Sequence, residues 1–347
     1  MDDDQFMHAA LREARRGLGQ TSPNPAVGAV IVRGGRIVAR GFHRAAGQPH
    51  AEIEALRALK NPAHSAGATI YVTLEPCSTH GRTPPCVEAL IAAKFSRVVI
   101  GAIDPNPAHA GRGVELLERA GIAVTTGVRE AECRELNAAF NHWIVTGFPL
   151  VIAKAGMSLD GRLTRPPGEG QWLTSEAARA DAHQLRAQVD AILIGAGTLR
   201  ADNPRLTVRG VPGARQPWRI VLAGATPLPR KSHIFTDEHR DRTLVFRRQS
   251  LRSVLRELGR RQITSVLLEG GTRVFGEAFD RRLVDRVQFY LAPLLCGGPA
   301  VVVGGKGAGS TAESLALEDP VYQQIGDDLR LTARVARPAR ASGASAA

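Results

Sequence analysis

Four residues carry the strongest chemical signal in the first half of the chain: His50, Glu52, Cys77 and Cys86. One imidazole and two thiols make three ligands for a zinc ion, and a catalytic zinc keeps its fourth position open for water. Glu52 lies two residues from His50, a separation that takes it off the same helical face. It is left over as a carboxylate beside the metal, suited to moving protons.

The elements that must place these residues follow from periodicity. Phe6, Ala10, Leu11 and Ala14 share one helical face within residues 5–16, and Gly17 and Gly19 end that helix. Residues 21–25, Thr-Ser-Pro-Asn-Pro, form a rigid polar turn in which Asn24 either makes an Asx turn or meets a ligand. Residues 27–32 and 36–41 read as strands around a Gly34-Gly35 hairpin. A helix over 51–60 puts His50 and Glu52 at its first turn. A β-rich run over 68–74 delivers Glu75-Pro76-Cys77, a loop spans 78–85, and a helix over 86–94 begins at Cys86 after two prolines. A thiol at a helix start has its thiolate stabilised by exposed N–H groups. Residues 98–103 form a buried strand, 114–120 and 130–146 helices, and 122–125 a short strand.

The pattern restarts after Gly147-Phe148-Pro149. Strands are expected at 150–155, 191–195, 219–223, 265–269 and 284–293, and helices at 175–188, 250–260 and 272–279. Both halves alternate as α/β units. The expected domains are 1–147 and 148–336, with a disordered tail over 337–347, which is rich in Ala, Ser, Gly and Arg.

At 347 residues the chain exceeds one compact core. Its acidic start lacks the apolar stretch of a secretory signal, and no run approaches membrane-span length. Four cysteines, two of them near a His, favour metal chemistry in a reducing cytoplasm over a disulfide framework. The net charge of +12 is uneven. Residues 1–147 hold 16 Lys and Arg against 14 Asp and Glu, a balance of +2; residues 148–347 hold 29 against 19, a balance of +10. An anionic ligand in the second half would explain that, and so would plain Arg usage.

His-x-Glu, then Pro-Cys, then a further Cys is the order of the zinc nucleobase deaminases, although the gap between Cys77 and Cys86 is longer than their Cys-x-x-Cys. A structural zinc with His43 or His80 as fourth ligand is the competing reading. In the catalytic reading, zinc lowers the pKa of its water to about 7. Glu52 takes that proton and hands it to a departing amine.

Together the motifs go further. Thr21-Ser-Pro-Asn-Pro-Ala-Val-Gly, His50-Ala-Glu52, Leu74-Glu-Pro-Cys-Ser-Thr-His-Gly-Arg-Thr-Pro-Pro-Cys86 and Asp104-Pro-Asn-Pro resemble the bifunctional riboflavin-biosynthesis deaminase/reductase family. There the longer cysteine loop is the rule. Lys154-Ala-Gly-Met-Ser-Leu-Asp-Gly161, Gln171-Trp-Leu-Thr174, the run from Thr198 to Arg209 and Leu268-Glu-Gly-Gly271 are similar to the family's reductase half. The resemblance spans about residues 1–335 and implies a cytidine-deaminase-like α/β/α sandwich followed by a dihydrofolate-reductase-like α/β domain. It implies hydrolytic deamination of 2,5-diamino-6-(5-phosphoribosylamino)pyrimidin-4-one. NADPH-dependent reduction of the ribosyl chain to ribityl would follow.

By matched position, the resemblance assigns zinc to His50, Cys77 and Cys86 and proton transfer to Glu52. It lines the deaminase pocket with Asn24, His43, His80, Asp104 and Asn106. NADPH would meet Gly156, Trp172, Thr198, Asp202, Gly224, Gly271, Thr272, Arg273, Val274 and Phe275. The reductase substrate would meet Gly170, Arg186, Leu206, Arg209 and Glu269. Arg186 and Arg209 suit a phosphate, which guanidinium binds bidentately. Gly270-Gly271, between strand and helix, suits a pyrophosphate or is a plain turn. Trp172 either stacks on a ring or belongs to the core. Gly170 stands where relatives often have Ser, so a backbone contact would survive and a hydroxyl contact would not. Cys133 and Cys296 read as small buried hydrophobes. A cytoplasmic homo-oligomer acting on a phosphorylated pyrimidine is expected. An RNA-binding deaminase fits less well, because the first half is nearly neutral and the basic half has few aromatics to stack bases.

Overall fold

The computed structural model describes residues 1–79, 85–163 and 172–336. They separate into two compact units, Met1–Pro149 with Gly259–Thr264, and Leu150–Leu258 with the chain from Ser265 onward. The expected single cut near residue 147 therefore does not capture residues 259–264.

The first unit opens with α1 (Asp3–Arg15). Asp2 caps it by accepting the Gln5 N–H, while the Gln5 side chain accepts the Asp2 N–H. This reciprocal pair satisfies donors the first turn leaves open. β1 (Gly28–Arg33) and β2 (Arg36–Phe42) form an antiparallel hairpin whose turn residues Gly34 and Gly35 both have positive φ. Then come α2 (Ala51–Arg57), β3 (Thr69–Leu74), α3 (Cys86–Ala92), β4 (Arg97–Ala102), α4 (Arg112–Arg119), β5 (Ala123–Thr126), α5 (Glu130–Leu136) and α6 (Ala138–Thr146). The sheet order is β2-β1-β3-β4-β5, with β3, β4 and β5 parallel.

Alternation along β3 divides the core between the two sheet faces. Ile70 and Val72 pack with Ala55, Leu90 and Leu117 of α2, α3 and α4. Tyr71 turns the other way, to Phe6, Met7 and Leu11 of α1. Each large apolar side chain so buried contributes about 1.5–3 kcal/mol. The continuous helix expected over 130–146 is instead two helices. Asn137 interrupts it because its buried amide pairs twice with Ala26, accepting the Ala26 N–H at 2.8 Å and donating to Ala26 O at 2.9 Å.

The second unit runs β6 (Leu150–Ser158), α7 (Glu176–Gln188), β7 (Ala191–Gly195), α8 (Ala196–Asp202), β8 (Trp218–Ala223), α9 (His233–Thr236), β9 (Thr243–Arg247), α10 (Leu251–Arg260, whose last two residues count with the first unit), β10 (Ser265–Leu268), α11 (Thr272–Asp280), β11 (Arg286–Ala292), β12 (Leu317–Ile325) and β13 (Asp328–Val335). Its sheet has the order β12-β13-β11-β6-β10-β7-β8-β9. The six strands from β11 to β9 are parallel, and β13 and β12 add an antiparallel edge. Ile192, Ile194, Val221 and Leu267 build one core layer.

Several of these elements depart from the sequence expectation. β6 runs three residues beyond residue 155. α8, α9, β9, β12 and β13 lie outside the expected elements. β12 is an edge strand whose residues are nearly all exposed and which contains Pro320, so it lacks the apolar alternation that marks a half-buried strand. The tail over 337–347 lies outside the described residues.

Candidate active sites

In the first unit, two helix starts and one strand end converge. His50 is the cap residue of α2 and Cys86 is the first residue of α3. Cys77 follows β3 after Glu75 and Pro76. His50 Nδ1 lies 3.5 Å from Cys77 Sγ and 3.3 Å from Cys86 Sγ, and the three ligand atoms fall within 4.8 Å of one another. The Cys86 backbone N–H donates to Cys77 Sγ at 3.3 Å. Contact with Cys86, then with His50 and that N–H, draws the Cys77 thiol toward the thiolate against the effect of burial. Contact with Cys77 raises the His50 pKa. Two thiols and one imidazole are a donor set that suits zinc.

Glu52, in the first turn of α2, is 3% exposed. Burial pushes its carboxyl up to about 7, with His50 pulling the other way. A cavity of about 390 Å³ reaches His50, Glu52 and Cys77, and Asn24, His43, Asp104 and Asn106 also line it. His43 Nδ1 lies 3.0 Å from Pro49 O, so it donates there, and its Nε2 accepts from Asn24 Nδ2 at 3.1 Å. Burial holds His43 below its usual pKa, in keeping with that neutral tautomer. Asp104 accepts the Asn106 N–H at 2.8 Å in an Asx turn. His80 lies outside the described residues.

In the second unit, the marked residues gather at the carboxyl ends of parallel strands, where open α/β sheets bind ligands. Lys154 and Gly156 lie on β6, Glu269 follows β10, Thr198 lies on α8 just after β7, and Gly224 follows β8. Arg186 of α7 donates to Glu269 twice and to Thr207 O at 3.1 Å. Lys154 Nζ is 3.9 Å from Glu269. Burial would raise the Glu269 pKa, but Arg186 and Lys154 hold it down at about 2. Arg209 donates from Nη1 to Thr207 Oγ1 at 3.2 Å, and its backbone N–H donates to His183 Nδ1 at 3.2 Å. Leu206 is buried at φ +52, a left-handed backbone that costs a non-glycine residue energy.

Around the glycine pair, Gly271 caps α11 and no side chain bonds that cap. A Cβ at Gly270 would stand 2.8 Å from Val274 Cβ, and one at Gly271 would stand 3.4 Å from Thr198 Oγ1. The bare first turn of α11 suits a pyrophosphate. Thr272 donates its hydroxyl to Val301 O, Arg273 is exposed, and Phe275 is fully buried with its N–H donated to Gly271 O at 3.2 Å. Trp172 is 54% exposed with the Arg179 guanidinium 5.5 Å over its ring, so it is not a core residue. Asp202 and Gly224 are exposed, and Gly170 lies outside the described residues. Cys133 is buried as expected, whereas Cys296 is partly exposed.

Three neighbours of these sites escaped the sequence reading. Lys154 had a visible signal, an ammonium inside an otherwise apolar strand run. His109 and Trp143 line the first cavity and carried no motif signal.

Comparison with known proteins agrees with both halves. The cytidine and deoxycytidylate deaminase zinc-binding region matches residues 1–102, and the RibD C-terminal domain matches residues 149–331. The riboflavin biosynthesis protein RibD of Bacillus amyloliquefaciens is 40% identical over 95% of this chain and 96% of its own. That of Escherichia coli is 43% identical over 86% and 90%. Among solved structures, Acinetobacter baumannii RibD superposes with a TM-score of 0.88 at 37% identity, covering 96% of this chain and 99% of that one. A Thermotoga maritima deaminase/reductase superposes at 0.87 with 35% identity, covering 96% and 98%. The first unit has the cytidine-deaminase-like fold and the second the dihydrofolate-reductase-like fold. The chain belongs to the RibD family of bifunctional riboflavin-biosynthesis enzymes.

Proposed function

We propose that residues 1–147 deaminate 2,5-diamino-6-(5-phosphoribosylamino)pyrimidin-4-one and that residues 148–336 then reduce its ribosyl chain with NADPH, giving 5-amino-6-(5-phosphoribitylamino)uracil. The observation that carries the first step is the His50, Cys77 and Cys86 cluster with buried Glu52 at the same cavity. His50, Cys77 and Cys86 hold zinc, which when bound supplies the Lewis acidity that makes a water nucleophilic near neutral pH. Glu52 takes a proton at its carboxylate and returns it to the leaving amine. Asn24 and His43, joined by their hydrogen bond, and Asp104 and Asn106 in their turn, orient the ring.

In the second unit NADPH, when bound, would supply a hydride. Gly156, Trp172, Thr198, Asp202, Gly224 and residues 271–275 hold it. Leu206, Arg209 and Glu269 hold the substrate, and Arg186 fixes Glu269 through their paired hydrogen bonds. Placement is most of what the protein contributes to such a transfer. A homo-oligomer working in the cytoplasm belongs to the same reading, on the strength of the family likeness.

The test is sequential. Zinc-loaded protein is given the diamino pyrimidinone phosphate and ammonia is measured; NADPH is then added and its absorbance followed. Ammonia first and oxidation second is the expected result. No ammonia from protein with zinc bound would overturn the deaminase assignment for this substrate.

A further inference from the structure

The segment after β4 brings Asp104 and Asn106 to the deaminase cavity and then turns into α4. One buried side chain holds both of its ends. Glu75, 4% exposed, accepts four backbone N–H groups. Its Oε2 takes those of Asp104 at 3.2 Å and Gly111 at 3.0 Å. Its Oε1 takes those of Gly113 at 2.8 Å and Val114 at 3.4 Å.

Local sequence explains why a distant carboxylate is needed. The cap residue of α4 is Gly111, at φ +79, with no side chain to satisfy the first-turn donors. Glu75 takes that part from across the fold, and its charge suits a helix N-terminus. Gly113 lets the helix come close: a Cβ there would stand 2.4 Å from Pro76 O and 3.0 Å from Glu75 Oε1. Glu75 is itself fixed, since its N–H donates to Ala102 O at 2.9 Å and continues the β3–β4 pairing. Two residues further on is Cys77.

We infer that Glu75 is a positioning residue for the deamination, fixing the Asp104–Asn106 turn relative to Cys77 and so the pose of the pyrimidine over Glu52. The inference rests on the deaminase reading above. A carboxylate is required because it accepts on both oxygens and donates nothing. In Glu75→Gln either orientation of the amide sets an NH₂ against two backbone N–H groups.

Glu75→Gln in the full-length zinc protein is expected to raise the deaminase KM about tenfold or more. Zinc content and NADPH oxidation with the deaminated pyrimidine should stay unchanged. Glu75→Asp, which keeps the charge but shortens the reach, should give a smaller rise of the same kind. Combined with Asn106→Ala, the Glu75→Gln effect should fall short of the product of the single effects, because both changes act on one contact. A readout without turnover accompanies these. In Glu75→Gln the amides of Asp104, Gly111, Gly113 and Val114 should exchange with solvent about tenfold faster or more, while those within β3 and β4 do not change. Unchanged protection of the four amides, or KM effects that multiply fully, would overturn the inference. Absence of ammonia release from the unaltered protein would instead count against the deaminase reading, and amide exchange would still decide the clamp.

Discussion

Arg186 and Glu269 meet through two parallel hydrogen bonds of 2.6 Å, Nε to Oε1 and Nη2 to Oε2. With Nη1 on Thr207 O, every nitrogen of this guanidinium has a protein partner. Sequence reasoning assigned Arg186 to the substrate's phosphate. The geometry instead commits it first to a buried carboxylate that Lys154 also approaches. On the proposed assignment Arg186 acts by holding Glu269 in place, which leaves Arg209 as the better placed of the two for an anion.

Removing Arg186 should therefore hurt stability as well as activity. Arg186→Ala strands the Glu269 charge in a buried setting, a loss of about 3–5 kcal/mol when one partner of such a pair is deleted. Urea unfolding should register a drop of that order. NADPH oxidation should fall to background while ammonia release persists. Equal loss of both activities would contradict the expectation.

The same pair predicts an acid response. The folded pKa of Glu269 lies near 2, below its ordinary 4.5. A carboxylate depressed in this way adds stability that is complete above the unfolded value and lost as pH falls through the folded one. Stability should therefore decline from about pH 4.5 downward. Glu269→Gln should flatten that decline, which thermal unfolding across the acid range would reveal.

Glu52 should separate metal binding from chemistry. Glu52→Gln leaves the three ligands intact, so zinc content should match the unaltered protein. Ammonia release should fall by about 10² to 10⁴, the range for a lost acid–base group. Removing zinc with a chelator should abolish ammonia release too. In both cases NADPH oxidation with the deaminated pyrimidine should continue. Loss of zinc from Glu52→Gln would reassign the residue to metal retention.

Much of this was legible in the chain, for identifiable reasons. His50, Cys77 and Cys86 have few uses in that order, and the strand and helix signals around them were strong enough to put two of them at helix starts. The break at Asn137 was not legible, because its cause is a pairing with Ala26 across 111 residues. Glu75 hid for the same reason: its four partners lie 29 to 39 residues downstream. β12 is an edge strand with little to bury, so no apolar period marked it. Trp172 has the composition of a core residue, and only the structure places it at the surface.

Arg209 offers the most direct test of substrate charge in the second step. Its guanidinium donates to Thr207 Oγ1 beside the imidazole of His183, whose pKa burial, then Arg186 and Arg209, hold down at about 4. A neutral His183 can keep accepting the Arg209 backbone N–H, which holds that arginine's main chain in place. A charge-assisted hydrogen bond to phosphate is worth about 1.5–3 kcal/mol. Arg209→Ala should therefore raise the KM for the phosphorylated pyrimidine about 10- to 100-fold, with kcat and the KM for NADPH little changed. The dephosphorylated pyrimidine separates charge from folding. If Arg209 grips the phosphate, that compound should be an equally poor substrate for both proteins. If Arg209→Ala weakens both pyrimidines alike, the residue acts on the ring or the ribosyl chain instead.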